Sequence, residues 1–297
     1  MLQNSNAQIP VDAAGDPRLK PLVTVITARG LNFNGFGEIW RARELIRMLV
    51  YRNLISKYKQ TILGPLYLVL MPLLNALVFT VIFGNIVGVK TDGMPQFVFF
   101  LAGTICWSFL SQTFDGVGQT FIANAGLITK VYFPRIAIPL STILTNAFSS
   151  LVHIVVLICA MVLFILRGDL PIPNIADIWV LPLVFLQLSM TAVGLGCLFA
   201  AITVTYRDLS FLSTLLVQFW MYATPVVYPV SLIPEKYRLF YALNPASGSV
   251  DLFRSFVAGR AIHLTEFHAI GWAVLTVLTF LGLWLFFQAE RDFADRI

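Results

Sequence analysis

The side chains best suited to catalysis or metal binding in this sequence are histidines and cysteines, and neither set has the spacing of such a site. The three histidines lack the paired separation of a zinc site, and the three cysteines stand singly inside apolar runs. No Gly-x-x-x-x-Gly-Lys-Ser/Thr segment exists to bind nucleotide phosphates, and no Gly-x-Ser-x-Gly segment exists to present a nucleophile. We expect no catalytic residue, metal or cofactor in this chain, and any use of ATP must come from another polypeptide.

Two ionisable residues fall at apolar stretches. His153 lies midway along one, and Asp115 lies at the end of another. An ionisable side chain within a membrane is a functional candidate, but a hydrogen bond to a neighbouring helix explains His153 as simply. Direct function stays open for His153, whereas Asp115 is better interpreted as a span-end residue than as a proton relay. A transporter driven by its own buried carboxylates is therefore disfavoured.

The elements that carry these residues belong to a membrane protein. Of 297 residues, 58% are hydrophobic and only 12% are charged, whereas soluble domains carry about 25% charge. Disordered, collagen-like and disulfide-scaffold proteins are excluded by the same composition. Each crossing needs about 20 apolar residues, and six gaps between charged residues are long enough. We predict an all-α polytopic protein with transmembrane helices at 62–84, 97–120, 136–165, 178–203, 209–228 and 268–288.

The basic residues predict the orientation. Residues 38–60 carry six basic and two acidic side chains, which favours a cytoplasmic N-terminus. The next inner connection contains Lys130 and Arg135 with no acid after Asp115, which agrees. Because six crossings return the chain to the starting side, both termini are expected in the cytoplasm.

The chain before the first crossing divides in two. Residues 1–37 form a polar leader, and apolar residues recur at helical spacing through residues 38–60 among several arginines. This pattern predicts an amphipathic helix that lies in the membrane interface or docks on a partner protein. Residues 61–297 form the transmembrane domain.

Prolines interrupt the segment from Ala223 to Arg260. Pro225, Pro229 and Pro234 fall within ten residues, and each internal proline removes a helical donor, so one regular helix is impossible. Two short amphipathic helices are expected after this break, at 235–242 and 246–258. Non-helical backbone is tolerated at membrane depth only where protein or a water-filled cavity covers it. A re-entrant structure at the outer mouth of a pathway and an ordinary external loop both stay open.

Four motifs, in order, resemble the membrane subunit of ABC-2 type polysaccharide exporters, the O-antigen and teichoic-acid permease family. They are Tyr-Lys-Gln-Thr-Ile-Leu-Gly-Pro-Leu at 58–66, Ile-Thr-Lys-Val-Tyr-Phe-Pro-Arg at 128–135, Tyr-Arg-Asp at 206–208 and Ala-Thr-Pro-Val-Val-Tyr-Pro at 223–229. The resemblance extends from about residue 38 to the C-terminus.

This resemblance implies a homodimer of six-helix subunits in the bacterial inner membrane. Each subunit would bind one copy of a cytoplasmic ATPase that holds ATP and Mg²⁺. The assembly would contact membrane lipids but no nucleic acid, and it would move a lipid-linked glycan from cytoplasm to periplasm.

The resemblance also suggests roles for individual residues. The cytoplasmic entrance loop would comprise Leu63, Gly64 and Pro65, and glycine there suits a chain that turns from the membrane plane into a span. Contact with the ATPase is expected from Lys130, Tyr132, Phe133, Arg135 and Arg207. The periplasmic gate is expected to include Pro225, Tyr228, Pro229, Asn244 and Pro245.

A glycan pathway should be rich in aromatic rings, because sugars stack their C–H faces on rings without being trapped by directional hydrogen bonds. Aromatic residues recur every seven positions in the second span, from Phe100 to Phe121, and so share one helical stripe. The predicted channel aromatics are Tyr67, Phe79, Phe83, Phe100, Trp107, Phe114, Phe211, Phe219 and Tyr222.

Competing functions make different demands on the sequence. An ABC-2 exporter of a drug or small lipid would need a narrow lateral cleft instead of a wide aromatic channel. A polytopic lipid-linked glycosyltransferase would need clustered acids or histidines at one membrane face, and none is visible. A passive channel would work without nucleotide.

Overall fold

A computed structural model describes residues 40, 42–58, 64, 66–128, 133–206 and 208–295. The predicted leader, residues 1–37, lies outside these residues. Throughout the described ranges the regular elements are helical and no strand occurs, which confirms the all-α prediction. The main helices are α1 (Arg43–Tyr58), α2 (Leu66–Phe79, continued by a π-helix Thr80–Ile86), α3 (Gln96–Gly118), α4 (Ala137–Leu166), α5 (Val180–Thr205), α6 (Leu209–Ala223), α7 (Glu235–Ala242), α8 (Pro245–Val257) and α9 (Glu266–Asp295).

Five segments are long and apolar enough to cross a membrane. They are Leu66–Ile86, Gln96–Gly118, Ala137–Leu166, Ile175–Val204 and Glu266–Glu290. Each coincides with a predicted span within a few residues. The chain is therefore a multi-pass membrane protein.

The predicted fifth span, 209–228, is wrong at its C-terminal end. Helix α6 has 15 residues and ends at Ala223, which gives a length of about 22 Å at 1.5 Å per residue. Thr224 adopts an extended conformation with ψ 141°, because a residue before proline is disfavoured in the α region. The break therefore falls just before Pro225.

Helix α1 lies within the predicted range 38–60, but its apolar face meets the protein itself. Ile46 and Leu49 are buried against Phe133, Ala137 and Ile138. These last residues lead into α4, so the face expected to contact the membrane or a partner is covered by this chain.

Helix α3 is central among the spans. In the 18-residue apolar stretch of α3, 78% of the residues are buried, compared with 11% in the corresponding stretch of α2 and 22% in that of α9. Helices α2, α4, α5, α6 and α8 all contact α3. Most side chains of α3 therefore meet other parts of the protein.

Contacts between residues at the helix ends and in the loops identify two opposite ends of the helix bundle. At one end the guanidinium of Arg135 at the start of α4 lies 3.7 Å from the carboxylate of Glu290 near the end of α9. At the other end Ser231 donates to the carboxylate of Asp92 at 2.8 Å, and Arg260 also contacts Asp92. Helix α1 and the C-terminal part of α9 lie at the first end.

Helices α5 and α9 cross at backbone contact. A Cβ atom added at Gly282 of α9 would overlap the carbonyl group of Gly194 in α5, and one at Gly194 would lie 2.9 Å from the Thr279 backbone. Small residues at such a crossing allow the close approach on which helix association in membranes depends.

We predict that Gly282→Val destabilises the protein, because the added side chain must separate α5 from α9. Overpacking of this kind costs about 1–3 kcal/mol, which corresponds to a fall of about 5 °C in melting temperature. Thermal unfolding in detergent measures it. Gly126→Val is the matched control, since a Cβ at Gly126 meets nothing within 4 Å. Equal melting temperatures for the two variants would contradict the crossing.

Candidate functional site

A cavity of about 570 Å³ lies between α2, α3 and α6. Its wall combines aromatic and aliphatic side chains with hydroxyl, amide and carboxylate groups. The lining residues are Asn75, Phe79, Thr104, Trp107, Ser108, Ser111, Asp115, Thr214, Val217, Gln218, Met221 and Tyr222.

Three of the predicted channel aromatics meet in this cavity, one from each helix. Phe79 comes from α2, Trp107 from α3 and Tyr222 from α6. The indole of Trp107 packs edge to face on Trp220, with ring centroids 5.6 Å apart, so its orientation is fixed. A rigid aromatic wall suits the apolar faces of sugars.

Of the polar half of the cavity, the sequence indicated only Asp115. On α3 the residues Thr104, Ser108, Ser111 and Asp115 follow at intervals of four, three and four, which places them on one face of the helix. On α6, Thr214 and Gln218 precede Tyr222 at intervals of four. A search for polar residues at helical spacing inside the apolar spans would have found both stripes.

Other predicted aromatics lie outside the cavity. Phe100 is fully buried, with its ring centroid 6.4 Å from that of Phe79 and 6.5 Å from that of Phe83. Phe114 is 3% exposed and packs on Phe199 at 5.2 Å. At Phe100 and Phe114 the seven-residue stripe is core packing within this chain, because α3 is surrounded by other helices.

Of the remaining predicted aromatics, Phe83 is half-buried beside Phe100, and the other three lie on the outer surface. The side chains of Tyr67 on α2 and of Phe211 and Phe219 on α6 are exposed, the last two by 79% and 71%. They lie on two of the helices that form the cavity. A second protein surface or lipid must cover such rings in a membrane.

The proline-broken segment after α6 is held by Arg254 of α8. This side chain is 6% exposed, and its guanidinium donates to the carbonyls of Pro225 at 2.6 Å, Tyr228 at 3.3 Å and Val226. It also donates to the Phe99 carbonyl of α3 at 3.3 Å and lies 3.6 Å from the centre of the Phe99 ring. One buried cation thus satisfies the carbonyl groups that the missing helix leaves free.

Asn244 connects the same segment to α6 and α8. Its side-chain oxygen accepts from the Trp220 indole at 3.1 Å and from the Ala246 backbone at 3.2 Å, which makes it the N-cap of α8. Its amide donates to the Thr224 hydroxyl at 2.9 Å.

Tyr228 and the two prolines at this junction complete the predicted gate residues. The Tyr228 hydroxyl bonds the Tyr222 carbonyl and the Tyr241 hydroxyl, both at 3.0 Å. Pro245 occupies the first turn of α8, where a missing N–H costs nothing. Pro229 precedes the 3₁₀ turn Val230–Leu232 in an extended conformation. The structure therefore brings the predicted gate residues together.

A polar network lies where α1 meets α3 and α4. The Lys57 ammonium donates to the side-chain oxygens of Gln112 at 3.2 Å and Asn146 at 3.0 Å, and Asn146 donates to the Thr113 hydroxyl at 3.2 Å. Burial of the ammonium lowers the pKa of Lys57. Nearby, Gly64 is buried and has φ +46°, the left-handed conformation that glycine was expected to permit at the entrance joint. Leu63 and Pro65 lie outside the described residues.

The residues predicted to contact an ATPase are only partly described. Lys130, Tyr132 and Arg207 lie outside the described ranges. Phe133 is 7% exposed within the α1 cluster, and Arg135 pairs with Glu290. A direct contact through the Phe133 ring is therefore blocked by α1.

The ionisable candidate His153 lies inside the helix bundle. His153 is buried on α4, and its Nδ1 atom has no hydrogen-bond partner among the described residues, so the interhelical bond stays a prediction. Among the described residues, no group of histidine, cysteine and acidic side chains has metal-binding geometry.

We predict that Arg254→Met loosens the proline-broken segment, because four carbonyl groups lose their buried donor. Each unsatisfied group costs about 1–3 kcal/mol. Trypsin digestion should show faster cleavage after Lys236 and Arg238, which follow the segment. The melting temperature of the Arg254→Met variant should also fall. Arg238→Met is the control for this measurement, because it removes an exposed arginine and leaves Arg254 in place. A stable, protease-resistant Arg254→Met variant would contradict the role of the guanidinium.

Comparisons with known proteins agree on one family. A family model described as ABC-2 type transporter matches residues 44–257. The chain is 31% identical over 264 residues to the O-antigen export system permease protein RfbA of Myxococcus xanthus, covering 88% of this chain and 98% of the relative. It is 27% identical to the protein of that name from Klebsiella pneumoniae, covering 85% and 94%, and 25% identical to the polysialic acid transport protein KpsM of Escherichia coli, covering 83% and 93%.

Since the family model matches well over half of the sequence and these relatives align over nearly their whole length, the chain belongs to the ABC-2 type transporter family.

Proposed function

We propose that this chain is the membrane subunit of an ATP-driven polysaccharide exporter, with the α2–α3–α6 cavity as part of the translocation path. The names of the relatives, O-antigen export permease and polysialic acid transport protein, support polysaccharide as the cargo. The observation that carries the proposal is the meeting of three aromatic rings and seven polar side chains in one membrane-embedded cavity.

The chemistry of this wall suits a sliding glycan. The rings of Phe79, Trp107 and Tyr222 offer flat apolar contact to sugar faces. Hydroxyl and amide groups exchange hydrogen bonds with sugar hydroxyls, so a chain can advance by replacing one modest bond with another. A deep specific pocket would hold the polymer instead.

The path is completed in our proposal by a second copy of the chain. Only 11% of the apolar window of α2 is buried, and exposed aromatic rings flank the cavity on α2 and α6. A homodimer would bring two such faces together and enclose the polymer between them. The surfaces of Tyr67, Phe211 and Phe219 would then line the shared channel.

We further propose six crossings with both termini in the cytoplasm of a bacterium. Helix α6 is short, but the mostly buried, non-helical segment 224–229 carries the chain on towards the other end of the bundle. Helix α1 and the end of α9 lie at one end of the bundle, as an even number of crossings requires. The basic residues of 38–60 favour the cytoplasmic side for that end.

The energy source is a separate ATPase subunit. The sequence has no phosphate-binding loop of its own. The segment 124–135 follows α3 closely and precedes α4, and Arg52 of α1 donates to the Asn124 side chain at 3.1 Å. Movement imposed on this segment would reach α1 through that bond and through Phe133. In the proposed order of events, ATP first binds to the partner and the entrance is displaced. The glycan then passes through the cavity, and the segment around Arg254 opens.

We predict that Tyr222→Ala reduces glycan export several-fold without loss of folded protein, because this ring is half exposed and lines the cavity. Gel analysis of surface polysaccharide, normalised to permease abundance, measures it. Phe280→Ala is the control, since this ring on α9 is 73% exposed and lies outside the cavity. Full export by Tyr222→Ala would remove the cavity from the path.

We predict that the membrane-extracted chain co-purifies with an equal amount of a cytoplasmic ATPase and that Lys130→Ala lowers this ratio. The lost cation would weaken contact at the proposed coupling segment. Lys236→Ala, which alters α7 at the other end of the bundle, should leave the ratio unchanged. Polysaccharide export by the chain in the absence of any ATPase would overturn the assignment.

A further inference from the structure

We infer that Asp115 makes the cavity selective for glycan segments that are uncharged or carry amines, and that it disfavours segments bearing carboxylates. This inference rests on the proposed translocation path. Asp115 is the single charged side chain among the described residues that line the cavity, and no described lysine or arginine shares that wall. The formal charge of this cavity wall is therefore set by one residue.

Among the described residues, no cation forms an ion pair with the Asp115 carboxylate. Its Oδ1 atom is buried and has no hydrogen-bond partner there. Ser111, one turn earlier on the same stripe, donates its hydroxyl to the Ser108 carbonyl at 3.3 Å. The carboxylate is thus left with capacity to accept hydrogen bonds from a molecule in the cavity.

The cation nearest to Asp115 along the hydrogen-bond network, Lys57, is bound to other side chains. Lys57 reaches Gln112, three residues before Asp115 on α3, but its ammonium is bound by Gln112 at 3.2 Å and Asn146 at 3.0 Å. Among the described residues, no ion pair joins Lys57 to Asp115. Lys57 therefore holds α1 against α3 and α4 and leaves Asp115 unpaired.

Simple electrostatics gives the size of the effect. Two like charges about 6 Å apart, at an effective dielectric constant of about 20, repel by an energy equivalent to about a hundredfold in affinity. A sugar carboxylate that passes Asp115 would meet this repulsion, whereas a neutral sugar hydroxyl would donate a charge-assisted hydrogen bond. In a homodimer each subunit contributes one such carboxylate, which strengthens the selection.

The charge of the cavity can be measured without knowing the glycan. Ser111→Cys places a thiol one turn from Asp115, in a Cys159→Ser background, since Cys159 is exposed and the other cysteines are buried. The full-length protein, co-purified with its ATPase in nanodiscs, is treated with a cationic trimethylammonioethyl or an anionic sulfonatoethyl methanethiosulfonate. We expect the ratio of cationic to anionic reaction rates to fall at least about tenfold on Asp115→Asn. Asp169→Asn, which removes an exposed carboxylate outside the cavity, should leave the ratio unchanged.

Three results would count against these assignments, and they separate the inference from the proposed path. A rate ratio unaffected by Asp115→Asn, or a thiol that reacts with neither reagent, overturns the charge selection. Full glycan export by cells whose Ser111→Cys protein has been labelled to completion overturns the path itself. Export blocked by labelling, together with a ratio that falls on Asp115→Asn, supports both.

Discussion

The structure depends on the rule that backbone polar groups within a bilayer must find partners inside the protein. The chain breaks this rule locally after Ala223, where prolines prevent a helix from continuing. Arg254 restores it by directing one guanidinium at carbonyls of the broken segment and at Phe99 of α3. A buried cation is normally costly, but here the carbonyl oxygens and the face of the Phe99 ring supply the compensating negative potential. The irregular segment can therefore lie against the bundle instead of being expelled into water.

This arrangement also explains a small residue in the most buried helix. A Cβ atom at Gly103 of α3 would collide with the Arg254 guanidinium and lie 2.8 Å from the Val226 carbonyl. The glycine makes room for the arginine, and the arginine makes the proline break possible. Local features at residues 103, 225 and 254 are thus one structural unit, although they are far apart in the sequence.

Much of the fold could be predicted from the sequence because the cost of burying charge in lipid acts on single residues. Gaps between charged residues located the five long spans, and proline chemistry located the break. Contacts between distant residues carry no such local signal. Arg254 finds partners 26 to 155 residues away, and a basic residue in an amphipathic helix gives no indication of them. Similarly, the seven-residue spacing of Phe100, Trp107 and Phe114 defines a stripe but not its surroundings, so two of the three rings proved to be core. Trp107 instead lines the cavity between α2, α3 and α6, and only the packing of whole helices decides which rings of the stripe do so.

Helix α3 joins the α1 junction, the cavity and the proline-broken segment in a single helix. In its C-terminal half Gln112 holds Lys57 of α1, while Trp107 and Ser111 face the cavity, and near its N-terminal end the Phe99 carbonyl accepts a hydrogen bond from Arg254. A second chain of contacts runs from Trp107 through the Trp220 ring to Asn244, the cap of α8. Because packed side chains rearrange between discrete states more readily than they compress, a tilt of α3 imposed through α1 must change both the cavity wall and the support of the broken segment. The α1 junction, the cavity wall and the proline-broken segment therefore cannot move independently, and this mechanical connection is what the proposed export cycle requires.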